Sequence, residues 1–128
     1  MSSPIKIGVV GIGMSVHREC LKERPDKFTV VAACDLIADR SARYAEEFGC
    51  RTYERIEDLI ADPEVEVVDI ATRSCDHYRH AKMALLAGKS VLVEKPFCET
   101  YEEAKELVKL GGQPAGPRIF VRHNRRFE

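Results

Sequence analysis

The chain has 128 residues, 45% of them apolar and 32% charged, which excludes a disordered or low-complexity polymer and suffices for one domain with its own core. Its 20 basic and 21 acidic side chains leave a net charge of −1, which excludes a nucleic-acid or membrane-surface binder that works by bulk charge. No apolar run reaches the length of a membrane span and no basic leader region opens the chain, so the pattern predicts a soluble, cytoplasmic domain.

Strand and helix patterns alternate from end to end. Ile5 to Val10 is a nearly continuous apolar run, as expected of a parallel strand covered on both faces. Gly11 and Gly13 follow, then a helix predicted over about Val16 to Glu23. Phe28 to Cys34 is a second strand run, rich in β-branched residues. Ala38, Ala42, Ala45 and Phe48 fall at helical spacing, with Gly49 as the C-cap. Cys50–Tyr53 reads as a short third strand, and Ile56, Leu59 and Ile60 as a brief helix stopped by Asp62-Pro63.

Val65 to Thr72 is predicted as the fourth strand, with Asp69 inside it as an acid that needs buried partners. His77, Ala81, Ala84 and Leu85 mark a helix ending at Gly88, and Ser90 to Val93 a fifth strand. Thr100-Tyr101-Glu102-Glu103 has the form of a capping box. The helix it opens is expected to bury Tyr101, Ala104, Leu107 and Val108, followed by a loop over Gly111 to Pro117 and a last strand from Ile119 to Val121 or His123. The alternation predicts an α/β fold: a doubly wound (Rossmann), mostly parallel sheet of about six strands with helices on both faces. Ligands of such sheets bind at the carboxyl ends of the strands. The cysteines, Cys20, Cys34, Cys50, Cys75 and Cys98, are odd in number and form no C-x-x-C pair; they read as reduced thiols, and no metal site is expected.

Gly11-Ile12-Gly13 directly after the first strand permits a tight turn and a close approach of backbone amides to a diphosphate, although a plain strand-to-helix turn would look the same. Asp35 closes the second strand at roughly the 20-residue spacing where an acid meets the adenosine ribose. A carboxylate there accepts from the ribose hydroxyls of NAD. It repels the 2′-phosphate of NADP by roughly 4 kcal/mol per unit charge at about 4 Å and an effective dielectric of about 20. NAD is therefore expected over NADP, with Arg40 as the cation that could reverse the preference or lie over the adenine.

The segments Ala71-Thr72-Arg73-Ser74, His77, Ala84-Leu85-Leu86-Ala87-Gly88-Lys89 and Val93-Glu94-Lys95-Pro96 resemble the N-terminal domain of the glucose–fructose oxidoreductase and inositol dehydrogenase (Gfo/Idh/MocA) family. That family shows a T-P-N-x-x-H segment and an A-G-K…E-K-P segment, and Val121-Arg122-His123-Asn124-Arg125-Arg126-Phe127 resembles its exit from this domain. The resemblance implies a dinucleotide-binding domain over 1–124, with 125–128 starting the connection to a substrate and oligomerisation domain. It implies an NAD-dependent oxidoreductase moving hydride between a sugar or polyol hydroxyl and nicotinamide. Lys95 would be the catalytic residue, assisting deprotonation of the substrate hydroxyl. Glu94 would contact the nicotinamide ribose, a cis bond would precede Pro96, and Thr72, Ser74 and His77 would contact or position the cofactor. Arg73-Ser74 stands where the family has Pro-Asn, and Arg73 is expected to face an anionic group or solvent. The first turn is short if His17 is matched to the family histidine, which rests diphosphate binding on the amides of Met14 and Ser15.

The expected partners are a nicotinamide dinucleotide, a small sugar- or polyol-like substrate in a longer protein, and a second copy meeting an apolar face. The 128-residue chain alone is expected to bind dinucleotide without turnover. A non-catalytic dinucleotide-binding module acting as a sensor or partner subunit, and a domain for another adenosine compound such as S-adenosylmethionine, are the other readings. The Glu94-Lys95-Pro96 segment disfavours the last, since methyl transfer has no need of that lysine.

Overall fold

The computed structural model describes residues 3–12 and 17–122. β1 (Ile5–Val10), β2 (Phe28–Cys34), β3 (Arg51–Tyr53), β4 (Val67–Ile70), β5 (Ser90–Glu94) and β6 (Ile119–Arg122) form one six-stranded sheet in the order β3-β2-β1-β4-β5-β6. All five pairings are parallel. This is the doubly wound order, with the winding reversed between β1 and β4. The helices are α1 (Arg18–Glu23), α2 (Ala38–Phe48), α3 (Ile56–Ala61), α4 (His77–Leu86) and α5 (Tyr101–Gly111).

Two apolar layers cover the two faces of the sheet. Ile7, Val9, Val30 and Ala33 pack with Leu21 and Tyr44 of α1 and α2. Val10, Ala32, Val68, Ile70, Val91 and Val93 pack with Ile56, Leu59, Ala81, Ala84, Leu85 and Leu107 of α3, α4 and α5. The register of β1 against β2 slips by one residue after Ile7: Ile7 pairs with Val30, but Gly8 pairs with Ala32. Val31 is thus an extra residue, and it and Ala32 both turn toward the α3–α5 layer.

The predicted elements are present, with corrections to their faces and ends. In α2 the buried positions are Ser41 and Tyr44, with Ala38 and Ala42 exposed, because the tyrosine rather than the small alanines has the reach to fill the layer. The capping box forms as expected: Glu103 N donates to Thr100 Oγ1 at 3.1 Å, and Thr100 N to Glu103 Oε1 at 3.3 Å. The buried face of α5 is nevertheless Leu107 and Gly111, flanked by Ala104 and Leu110, while Tyr101 and Val108 are 75% and 60% exposed. Gly111 belongs to the helix rather than to the loop after it, because Ile119 packs where a Cβ would stand. β4 is shorter than predicted. Lys89 Nζ donates to the Asp62 and Val65 carbonyls at 2.9 and 2.7 Å, which engages the Val65 carbonyl outside the ladder. The expected domain end near residue 124 and the connection over 125–128 lie outside the described residues, as does His123 of the last strand.

Leu107 is fully buried at the α5–sheet contact. Leu107→Ala is expected to destabilise the chain by about 2–5 kcal/mol in denaturant unfolding. A loss below about 1 kcal/mol would mean that α5 is not fixed on the sheet.

Candidate functional site

At the carboxyl edge of the sheet, Gly11 leaves β1 with φ +83°, and an added Cβ would lie 2.7 Å from the Ala71 carbonyl and the Thr72 nitrogen. Glycine here lets the first turn touch the exit of β4. Ile12 N donates to Asp35 Oδ2 at 2.7 Å, and Ile37 N to Asp35 Oδ1 at 2.8 Å. The Asp35 side chain is only 6% exposed, with Arg40 Nη1 3.8 Å from Oδ1. Asp35 therefore fastens the first turn to the end of β2, a backbone role not anticipated from its spacing. Each of its oxygens retains a second acceptor direction. Gly13, Met14 and Ser15, expected at the diphosphate, lie outside the described residues.

A cleft of about 770 Å³ opens between these residues and the exit of β4, lined among others by Gly11, Asp35, Leu36, Thr72 and His80. Arg40, Arg55, Arg73 and Arg79 also line it. Each has a carboxylate within 4 Å: Asp35 for Arg40, Glu57 for Arg55, and Asp76 for both Arg73 and Arg79. The Arg73 side chain is 78% exposed. Ser74 opens the 3₁₀ turn Ser74–Asp76 that leads into α4. Cys34, at the cleft floor, is a buried thiol pushed up to about 11 by that burial, which keeps it unreactive.

Thr72 Oγ1 lies 3.0 Å from Nδ1 of His80, a residue the sequence reading did not single out. Burial, with help from the Arg79 charge, holds His80 below the ordinary histidine value, so its ring is neutral at pH 7 and can serve the hydroxyl as either donor or acceptor. His77 is 1% exposed. Its Nδ1 is 2.7 Å from the Pro96 carbonyl and its Nε2 is 2.8 Å from the Thr72 carbonyl. It sits behind the wall of the cleft and joins the exits of β4 and β5 to each other. Its ring bridges two carbonyls and does not face the opening, so of the two roles expected of it, contact or positioning, the geometry suits positioning.

The Lys95–Pro96 peptide is cis, as the resemblance implies. Lys95 is exposed beyond the end of β5 and makes no hydrogen bond or ion pair among the described residues. Glu94 is engaged from two sides. Arg122 Nη1 lies 3.1 and 3.3 Å from its two oxygens, and His17 Nε2 lies 3.0 Å from Oε2. The other ring nitrogen of His17, Nδ1, meets both oxygens of Asp69 at 2.6 and 2.8 Å. The acid inside β4 thus has its buried partner. Burial pulls the His17 pKa down, but the Asp69 hydrogen bond and the Asp69 and Glu94 charges outweigh it and leave it above the ordinary 6.5. Near-total burial pushes Asp69 upward against the pull of the same ring. With a carboxylate on each nitrogen, the shared proton belongs to the ring.

The model of the Gfo/Idh/MocA oxidoreductase family, NAD-binding Rossmann fold, matches residues 5–116. The chain belongs to this family. It is 39% identical, over an alignment 131 positions long that covers 98% of this chain, to an uncharacterized oxidoreductase of Schizosaccharomyces pombe, of which it covers 35%. It is 31% identical over 127 residues, 97% of this chain and 34% of the relative, to scyllo-inositol 2-dehydrogenase (NADP(+)) of Bacillus subtilis. The structure of GenD2 from gentamicin A biosynthesis in complex with NAD superposes with a TM-score of 0.86 at 27% identity, covering 94% of this chain and 35% of that one. The chain spans about a third of the length of the curated relatives it matches.

For this Gfo/Idh/MocA domain, Asp35, Thr72 and the Glu94-Lys95-Pro96 segment meet at one edge of the sheet, with Gly11 between them. Sequence reasoning missed His80, and it placed His17 after the first turn without its partners Asp69 and Glu94. His80 carried no readable signal, being one more residue on the inner face of α4. The pairing of His17 with Asp69 could have been found, because an acid inside a covered strand demands a cation and His17 follows the first turn.

His77→Phe keeps the packing volume but takes the ring nitrogens away from the Pro96 and Thr72 carbonyls. It is expected to cost roughly 2–4 kcal/mol in denaturant unfolding. Hydrogen exchange should rise around residues 95–97. A change within about 0.5 kcal/mol would mean that water replaces the ring without loss.

Proposed function

We propose that this chain is the cofactor domain of an NAD-dependent oxidoreductase that moves hydride between a sugar- or polyol-type hydroxyl and nicotinamide. The carrying observation is the placement of Lys95. It stands exposed at the carboxyl end of β5, next to a proline whose carbonyl His77 ties to the cleft wall at Thr72. The cleft fits a dinucleotide: it opens at the switch point between β1 and β4, and its floor at Gly11 lacks the Cβ that would fill the turn.

The cofactor supplies the hydride acceptor or donor when bound. The chain's own residues do the rest. Gly13, Met14 and Ser15 would offer backbone amides to the diphosphate, on a turn that Gly11 and Ile12 fasten to the end of β2 by donating to the Cys34 carbonyl and to Asp35. Thr72 offers a hydroxyl steadied by His80, and Arg73 and Ser74 edge the same wall. An ammonium at Lys95 would stabilise the alkoxide that develops as the substrate hydroxyl loses its proton. Glu94, already bound by Arg122 and His17, has lone pairs left for a ribose hydroxyl. Asp35 favours NAD by its charge. Arg40 at 3.8 Å partly neutralises it; the Bacillus subtilis relative is named for NADP(+), whereas the GenD2 structure holds NAD.

The domain spans 1–124, and substrate recognition belongs to the remainder of a longer protein. The isolated 128 residues are expected to bind dinucleotide without turnover, since holding the donor carbon in place is worth roughly 7–11 kcal/mol of the barrier. Lys95 has no second proton-transfer group bonded to it among the described residues.

Calorimetric titration of the chain with NAD and with NADP is expected to show tighter NAD binding. Asp35→Asn, which keeps the shape and removes the charge, should weaken NAD and narrow the gap. Tighter binding of NADP would reverse the cofactor assignment and point to Arg40. In a steady-state assay with NAD and a panel of sugars and polyols, the chain should produce no NADH. Lys95-dependent turnover at ordinary enzymatic rates would overturn the division of labour.

A further inference from the structure

The contacts of His17 reach beyond the stability of a buried ion pair. The ring stands at the entry to α1, directly after the segment that holds the first turn. Its Nδ1 contacts Asp69 in β4 and its Nε2 contacts Glu94 at the end of β5. A carboxylate offers only acceptors, so both contacts are hydrogen bonds only while the ring carries both protons. The His17 side chain is 10% exposed and that of Asp69 2% exposed, so water cannot readily substitute for either partner. Glu94 immediately precedes Lys95, and its carboxylate is gripped by Arg122 on the far side.

We infer that His17 is a positioning residue for the candidate site: as an imidazolium it ties the entry of α1 to the end of β5 and so fixes where Glu94 and Lys95 stand, and the tie opens when the ring loses a proton. Among the described residues, the groups facing the ring are Asp69 from β4, Glu94 from β5 and Arg122 from β6. Of these side-chain types, only histidine ordinarily changes charge between pH 5 and 8. Deprotonation leaves one ring nitrogen a bare acceptor opposite a carboxylate. Asp69, fully enclosed, cannot be the contact that is given up, so Glu94 is released. Because the folded-state pKa of His17 lies above 6.5, the tie is whole below that pH and is lost as pH rises through the folded value.

For its functional meaning this inference rests on the dinucleotide binding proposed above; the tie itself does not. Two measurements separate them. In the full 128-residue chain, ring nitrogen NMR signals of His17 should show both nitrogens protonated at pH 6 and a single titration above 6.5. A neutral tautomer at pH 6 overturns the inference, whether or not the chain binds dinucleotide. Affinity for NADH, read by its fluorescence, should fall roughly tenfold across that same titration, the scale of one charge-assisted hydrogen bond. His17→Gln should bind NADH weakly at all pH values, with the step gone. A step of the same size and position in His17→Gln would also overturn the inference. A charged ring in a chain that binds no NADH at any pH would instead sink the proposed function and leave the tie in place. If His17→Gln fails to fold, Arg122→Gln tests the same grip from the other side. It should shift the His17 titration upward, because a cation facing the ring is removed.

Discussion

A carboxylate inside a parallel sheet covered on both faces has no access to water, so it must find a cation or lose its charge. Asp69 meets that demand through His17, and the solution organises the whole carboxyl edge. The ring cannot satisfy Asp69 without presenting its second nitrogen on the opposite side, where Glu94 receives it. Glu94 in turn binds Arg122. One buried charge thereby sets the relative positions of three strand exits and the start of a helix. Such a pair adds little net stability over an apolar substitute, but its geometry is far more specific.

The same edge is held a second time by contacts to the backbone. Asp35 receives two backbone amides, His77 spans two backbone carbonyls, and Gly11 lets two chain segments come within van der Waals range of each other. The groups that would face a cofactor are placed by others buried behind them. The division follows from the sheet: parallel strands deliver their last polar backbone groups to one edge, and those left unpaired must be satisfied there.

The strands were legible because runs such as Ile5–Val10 and Phe28–Cys34 are apolar on both faces, a signal confined to covered parallel strands. The capping box of α5 was legible because its partners lie within four residues. The faces of α2 and α5 were misread where alanine and tyrosine were weighed by polarity alone, whereas packing selects for reach and shape. The second role of Asp35 was out of sight because it depends on the pairing of β1 with β2, which brings Ile12 beside the end of β2. His17 and Asp69 are 52 positions apart, and only the register of β4 against β1 puts them together. Caps closed within a few residues could be read from sequence; where a register was needed, the sequence showed at most that a partner was required, as at Asp69.

The slip after Ile7 has a bearing on how this edge tolerates change in chain length. Val31 occupies no pairing position of its own, so the sheet absorbs it as slack while Ala32, Ala33 and Cys34 stay in step with β1. Strand parity is unforgiving, because a shift of one residue exchanges the inner and outer faces. By taking up one odd residue, β2 delivers Asp35 beside Ile12 although Phe28–Val30 and Ala32–Cys34 run one step out of phase against β1. The strand carries one residue of slack between its entry and its cleft end.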